Sequence, residues 1–140
     1  MNVFRQLSEI HSKMNFYEGI DKIRDDPEKL RAFMELRIAM KEEELKELKE
    51  AWVERDAEEI VDALVDGVYF DLGTLNFLVG EKNSVSAFNE VHRANMDKKP
   101  GAKSGRPNPL GLPDMIKPEG WKEPNHGEFL NGLIEDVCKS

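Results

Sequence analysis

Two clusters of acidic residues lie close together in the sequence and are the first candidates for chemistry. Glu43, Glu44 and Glu47 fall in the run KEEELKELKE, and Glu59 and Asp62 follow a short distance later. Carboxylates that crowd together repel one another, so they must either take up protons or bind cations. Hard divalent ions prefer oxygen ligands, and Mg²⁺ commonly keeps several waters and binds substrate phosphates. The pattern therefore indicates a phosphate-bearing substrate.

Helical periodicity turns both acidic clusters toward apolar surface. The second predicted helix places Glu44 and Arg37 between two groups of apolar side chains. In the third predicted helix, Glu59, Asp62 and Asp66 form an acidic stripe. An apolar stripe runs beside it and consists of Val61, Leu64, Val65, Val68, Leu72, Leu75 and Val79. An unpaired carboxylate beside apolar surface is costly to ionise, so an ordinary solvated face explains these acids poorly. We expect them to face the inside of a helical bundle.

The predicted elements form an all-α bundle of four to five helices within one domain, residues 1–140. Residues 1–99 form its helical core, and 100–125 form an irregular arm because six of the seven prolines fall between Pro100 and Pro124. Residues 15–26 are predicted to be a connection. Helices are predicted over 2–14, from Pro27 to about Glu54, from the N-cap Asp56 to about Val79 before Gly80, from Ser84 or Ser86 to near Lys99, and over 128–137.

Composition excludes several classes of protein. The formal net charge of −8 argues against binding to nucleic acid polymers, which needs clustered Lys and Arg. The single cysteine, Cys138, excludes a disulfide framework or a thiolate metal site within one chain. No stretch approaches the roughly 20 apolar residues that a bilayer requires, and the N-terminus lacks the apolar core of a signal peptide. We therefore expect a soluble, cytoplasmic protein without membrane contact.

The acidic spacing resembles the EExxE…ExxD signature of the all-α nucleoside triphosphate pyrophosphohydrolases. That superfamily includes the MazG-like, dimeric dUTPase-like and phosphoribosyl-ATP pyrophosphohydrolase branches. The segment VHRANMDK, residues 91–98, also resembles an HxxNMxK stretch of the phosphoribosyl-ATP-like branch. The similarity spans roughly 37–98 and extends more loosely through the arm to Trp121. The motif residues are Glu43, Glu44, Glu47, Glu59 and Asp62.

The resemblance implies roles for individual residues. It implies Mg²⁺ as the cofactor, with Mn²⁺ as an alternative, and Glu43 as a candidate for activating water. Asn95 and Lys98 would contact the phosphates. Asp66 has no firm counterpart in the motif, and we expect it to be an outer ligand or a buried hydrogen-bond acceptor. The implied metal ligands are Glu44, Glu47, Glu59 and Asp62.

The function expected from this resemblance is hydrolysis of a (deoxy)nucleoside triphosphate to the monophosphate and pyrophosphate, in nucleotide-pool control. Self-association as a homodimer or homotetramer is expected, because two-sided apolar helices in 140 residues need partners. Phosphoribosyl-ATP hydrolysis is an alternative. A non-enzymatic helical assembly protein is another, and it would leave the acids paired only with Arg37 and Lys41. A di-iron protein is disfavoured, because Asn89 precedes His92 where a Glu-x-x-His pair needs glutamate.

Basic residues form a separate stretch from His92 to Arg106 in this acidic chain. They suit phosphate oxygens, although Lys98 and Lys99 equally complement a helix C-terminus. The arm has two interpretations. It closes over the nucleotide, with Lys117 near the phosphates and Trp121 stacking on the base, or it is a strap that holds the last helix.

Overall fold

The computed structural model describes all 140 residues as five α-helices and a short two-stranded ribbon. The predicted all-α fold is confirmed. The helices are α1 (Val3–Lys13), α2 (Phe16–Ile23), α3 (Pro27–Glu54), α4 (Ala57–Met96) and α5 (Leu133–Lys139). The strands are β1 (Lys99–Gly101) and β2 (Asp114–Ile116), and they pair antiparallel.

Helices α3 and α4 form the long hairpin that carries both acidic clusters. The side chain of Asp26 accepts hydrogen bonds from backbone N–H groups in the first turn of α3. Pro27 suits the first position of this helix because proline has no N–H group to leave unpaired. Asp56 caps α4 in the same way, accepting from the N–H groups of Glu58 and Glu59. Arg55 turns the chain between them with a φ of 60°. The predicted starts of both helices are therefore confirmed.

The N-terminal connection predicted over residues 15–26 is wrong, because residues 16–23 form α2. Asn15 takes a left-handed conformation with a φ of 56°, which ends α1 and lets a second helix begin at once. Asparagine tolerates this region better than most residues. Ile20 and Ile23, three apart, pack against the core from α2.

Gly80 breaks the helix where the sequence places the end of the third helix. Its φ of 80° and ψ of 163° are non-helical, and glycine adopts them without a side-chain penalty. The prediction that the next helix starts at Ser84 or Ser86 is wrong, because helical structure resumes directly after Gly80 and continues to Met96. One glycine is enough to kink the chain.

The C-terminal helix predicted over 128–137 is also shifted. Residues 127–129 form a single 3-10 turn, and α5 begins only at Leu133. Gly132 interrupts the helix with a φ of 112° and lies against the backbone of Leu78. Residues 100–125 form no helix, and their regular structure is limited to the ribbon, in which Gly101 pairs with Asp114.

The buried core lies at the end of the hairpin that α5 covers. It contains Leu30, Phe77, Leu78 and Leu133, and Leu7 of α1 is fully buried. The first half of α4 instead exposes its apolar stripe, since Val61, Leu64, Val65 and Val68 are each more than half exposed. No helix has the length and apolar character needed to cross a membrane.

Candidate functional site

Glu44 is the most constrained carboxylate of the acidic clusters. It is half-buried in the contact between α3 and α4, with its Cβ beside Gly67. Its Oε2 atom is buried and has no hydrogen-bond partner. Burial raises the pKa of Glu44 above its ordinary value, and four neighbouring carboxylates raise it further: those of Glu47, Asp66, Glu43 and Asp62. A cation supplied from outside would relieve this unfavourable arrangement.

The two basic residues nearest in sequence do not pair with Glu44. The Arg37 guanidinium donates to the Thr74 hydroxyl at 2.8 Å and to the Phe70 carbonyl oxygen at 3.1 Å. The Lys41 ammonium pairs with Asp71 at 2.8 Å. A purely structural bundle was expected to use these two cations to neutralise the acids. The structure gives both of them other partners.

The remaining predicted ligands differ in burial. Glu43, Glu47, Glu59 and Asp62 are exposed, whereas Asp66 is half-buried. Asp66 acts on Glu44 electrostatically, while Glu59 is not among the residues that do so. No three His, Cys, Asp or Glu side chains in the single chain are arranged to hold one metal ion.

An open groove lies beside Glu44 between α3 and α4. Its volume is about 490 Å³, and its wall carries the carboxylates of Glu42, Glu44 and Asp71 and the ammonium of Lys41. The remaining wall is largely apolar, formed by Ile38, Leu45, Leu48, Ala63, Leu64 and Val68. The groove therefore joins the acidic cluster to the exposed apolar stripe.

A second cluster gathers the predicted phosphate-binding residues around Trp121. The Lys98 ammonium donates to Asn95 Oδ1 at 2.9 Å and lies 5.3 Å from the indole ring centre. The Lys117 ammonium lies 4.6 Å from the same centre. Trp121 Nε1–H donates to the Ala94 carbonyl oxygen at 2.7 Å, which fastens the arm to α4. The structure thus brings Asn95, Lys98 and Lys117 together around Trp121, whose hydrogen bond goes to α4 and not to the last helix.

Several other basic residues of this stretch are already neutralised. Arg93 pairs with Glu90 at 2.8 Å and with Asp97 at 3.0 Å. Within the arm, Lys103 and Arg106 both pair with Asp114. These residues have structural roles, which leaves Lys98 and Lys117 as the better candidates for phosphate.

The acidic and basic clusters are separate within the chain. They lie on opposite sides of the kink at Gly80, with Asp66 and Asn95 each about four helical turns from it. No hydrogen bond or ion pair joins them. One molecule of substrate can use both clusters only if they are brought together.

The sequence did not reveal an aromatic pocket between α2, α3 and α4. Its volume is about 370 Å³, and Phe77 forms part of its wall. His11, expected to have an ordinary structural or surface role, is buried and stacks on Phe77 with ring centres 3.9 Å apart. Burial and the nearby Arg37 lower the pKa of His11, which favours the neutral ring. The aromatic residues after Asn15 were the available signal, but they stood in a segment predicted to be a connection.

The comparisons with known proteins agree with the acidic motifs. The family model described as phosphoribosyl-ATP pyrophosphohydrolase matches residues 14–95, which is more than half of the chain. The match includes both acidic clusters and Asn95 and ends before Lys98 and the arm. No curated protein and no solved structure matches the chain. The chain therefore belongs to the phosphoribosyl-ATP pyrophosphohydrolase family, within the MazG-like all-α nucleoside triphosphate pyrophosphohydrolases, which hydrolyse phosphoric anhydrides.

Proposed function

We propose that this chain is a Mg²⁺-dependent enzyme that hydrolyses a (deoxy)nucleoside triphosphate to the monophosphate and pyrophosphate, in nucleotide-pool control. The observation that carries the proposal is the buried, unpartnered Oε2 of Glu44 among four other carboxylates. A group of this kind must take up a proton or bind a cation, and the nearby Arg37 and Lys41 are engaged elsewhere. The family supplies the reaction class.

The donor set fits Mg²⁺ in its chemistry. All the groups around Glu44 offer carboxylate oxygens, which Mg²⁺ prefers, and Mn²⁺ accepts the same ligands. Mg²⁺ typically uses one or two carboxylates and completes its shell with waters and phosphates. This mode suits a chain in which no three acids converge on one point. The proposed ligands, shared among one or more Mg²⁺ ions, are Glu44, Glu47, Glu59 and Asp62, with Asp66 as an outer acceptor.

In the proposed reaction, water attacks the α-phosphorus and the bond to the bridging oxygen of pyrophosphate breaks. Bound Mg²⁺ would neutralise the triphosphate and lower the pKa of a coordinated water. Glu43 is exposed next to Glu44 and would accept the proton of the attacking water. The freed pyrophosphate carries the negative charge away. Asn95, Lys98 and Lys117 would hold phosphate oxygens.

Self-association is part of this proposal. The exposed apolar stripe of α4 adjoins the groove beside Glu44, so a second copy that covered the stripe would also enclose the acids. Burying such side chains contributes roughly 25 cal/mol per Å² of apolar surface. A second copy could also supply the basic cluster that lies beyond Gly80 in its own chain. We propose a homodimer or a pair of dimers.

Phosphoribosyl-ATP is the second candidate substrate, because the matching family model carries that name. It offers the same triphosphate to the same acids. The arm beyond residue 95 lies outside the match and gives no support to this narrower activity.

The test is hydrolysis by the purified protein of each NTP, each dNTP and phosphoribosyl-ATP, with Mg²⁺, Mn²⁺ or EDTA. Nucleotide products and pyrophosphate are separated and quantified. We expect monophosphate and pyrophosphate in equal amounts, abolished by EDTA and lowered at least about 100-fold in Glu44→Gln. Glu35→Gln is the matched control, since Glu35 is exposed on the same helix, lies outside the groove and does not perturb Glu44. Metal-independent release of single phosphates would contradict the proposal.

A further inference from the structure

A ring of three hydrogen bonds joins α3 to α4 about two helical turns from the acids. The guanidinium of Arg37 crosses from α3 and donates through Nε to Thr74 Oγ1 at 2.8 Å and through Nη2 to the Phe70 carbonyl oxygen at 3.1 Å. The Thr74 hydroxyl donates to the same carbonyl oxygen at 2.9 Å. These three groups form a closed contact between the helices, the Arg37 clamp.

The surroundings of the guanidinium hold the clamp in one geometry. It lies 5.5 Å from the ring centre of Phe70 and 5.4 Å from that of Phe77. Gly73 leaves room for it, because a Cβ at this position would be 3.4 Å from Arg37 Nη2. Its acceptors are neutral oxygens rather than carboxylates, and hydrogen bonds from a charged donor are stronger than neutral ones. The clamp is therefore a strong and directional contact.

The clamp and Glu44 lie on the same line of contact between the two helices. Glu44 follows Arg37 by seven residues on α3, and Gly67 precedes Thr74 by seven residues on α4. A Cβ at Gly67 would lie 4.0 Å from the Cβ of Glu44, so these two residues also face each other. Seven residues are close to two helical turns. Fixing Arg37 against Thr74 therefore also fixes Glu44 against Gly67.

Apolar packing determines this register only weakly near the acids. In residues 38–72, which form the part of the hairpin beyond the clamp, the only buried side chains are those of Ala51 and Ala63. Such small side chains interdigitate little. The Lys41–Asp71 ion pair also spans the helices, but its side chains are 64% and 47% exposed, and exposed pairs contribute little. The clamp is thus the main directional constraint on this half of the hairpin.

The environment of Glu44 depends on that register. Its Oε2 atom is buried in the helical contact without a partner, and the carboxylates of Asp62 and Asp66 act on it from α4. A small slide or rotation of α3 would carry Glu44 toward water and change its separation from both acids. Groups that orient metal ligands without touching the metal typically change its affinity 10- to 100-fold.

We propose that Arg37 and Thr74 are positioning residues for the acidic site and act by fixing the register of α3 against α4. This inference rests on the proposed function, and it adds two residues that lie outside the acidic motifs. Neither residue donates to an acid. Loss of the clamp should therefore weaken binding of the divalent metal and leave the affinity for the nucleotide nearly unchanged.

The kinetic test compares Thr74→Val, which removes the hydroxyl and keeps the shape, with Thr74→Ser, which keeps the hydroxyl. Ser86→Ala is the matched control, because the Ser86 hydroxyl donates only to the Lys82 carbonyl oxygen of its own helix. We expect Thr74→Val to raise the Mg²⁺ concentration for half-maximal rate about tenfold. Its KM for nucleotide at saturating Mg²⁺ should change less than about twofold. Thr74→Ser and Ser86→Ala should resemble wild type.

Two kinetic results would overturn the inference. One is a Thr74→Ser variant as impaired as Thr74→Val, which would assign the effect to the methyl group and its packing. The other is a raised KM with an unchanged Mg²⁺ dependence, which would mean that the clamp contacts the nucleotide. Circular dichroism verifies folding. Arg37→Lys carries the test if Thr74→Val does not fold, because lysine keeps the charge but lacks the planar fork that reaches both oxygens.

Two measurements without substrate test the register directly. Mn²⁺ binding to the full chain, followed by electron paramagnetic resonance, should be about tenfold weaker in Thr74→Val than in wild type. With EDTA present, the amide NMR signal of Gly67 should move in Thr74→Val and keep its wild-type position in Thr74→Ser. A Gly67 signal that stays in place in Thr74→Val would show that the clamp does not set the register.

These measurements also separate the inference from the proposed function. Mn²⁺ binding that Thr74→Val weakens, without hydrolysis of any triphosphate by wild type, would refute the proposed function and keep the clamp. Hydrolysis by wild type, with the Mg²⁺ dependence and the Gly67 signal both unchanged in Thr74→Val, would refute the clamp and keep the function.

Discussion

Replacing Glu44 with glutamine should stabilise the protein in the absence of Mg²⁺. The substitution keeps the shape of the side chain but removes the charge that four neighbouring carboxylates oppose. Glutamine leaves a polar atom in the same place, so the gain comes only from the removed charge and not from a restored hydrogen bond. Because Glu44 is only half-buried and solvent screens the repulsion, we expect a gain of about 1 kcal/mol, which raises Tm by roughly 3–5 °C.

The same reasoning fixes the sign of the pH dependence. In the folded chain the pKa of Glu44 is raised above its ordinary value of 4.5. At a pH between 4.5 and the raised pKa, the folded state therefore binds more protons than the unfolded state. Stability of the metal-free wild type should therefore fall as pH rises through that interval. Glu44→Gln should lack this component of the slope.

Thermal unfolding of wild type, Glu44→Gln and the control Glu35→Gln, each with EDTA or Mg²⁺, provides the assay. Mg²⁺ at about 100 times its Kd should add roughly 2.7 kcal/mol to wild type and much less to Glu44→Gln. Glu35→Gln should stay within about 0.5 kcal/mol of wild type with or without Mg²⁺. The reasoning fails if Glu44→Gln is destabilised in EDTA, or if Mg²⁺ stabilises both proteins equally.

Three further perturbations test the fold and its assembly. Gly80→Ala places a side chain on a residue with a φ of 80° and should lower the free energy of unfolding, measured with denaturant, by about 1–3 kcal/mol. An unchanged free energy of unfolding would show that the kink does not require glycine. Val65→Asp places a charge in the exposed stripe and should shift the protein toward monomer in light scattering; an unchanged mass would remove the stripe from the interface. The Arg93 hydrogen bond holds the pKa of Glu90 at about 2, so this pair stabilises the fold fully above pH 4.5 and progressively less as pH falls toward 2. Glu90→Gln should flatten that part of the acid unfolding curve, and an identical curve would contradict the assignment.

The sequence by itself predicted the fold class, the starts of the two long helices and the inward position of Glu44. Periodicity placed Glu44 toward the inside of the helical contact, and the caps Asp26 and Asp56 marked where the long helices begin. These features follow from local rules, since helical spacing and capping depend on residues three or four positions apart. The family resemblance came from the same local spacing and is confirmed by the family match.

Only the tertiary structure decided which groups meet across distant parts of the chain. In the folded chain Arg37 donates hydrogen bonds to Thr74 and Phe70 and does not pair with the acids. Lys117 and Lys98 both lie against the ring of Trp121. The directions of successive helices are set by a few special residues, such as the left-handed Asn15 and the non-helical Gly80 that kinks α4. Sequence spacing does not give those directions. The aromatic pocket arises where α2, α3 and α4 pack together, because side chains far apart in sequence become neighbours only after the chain has turned.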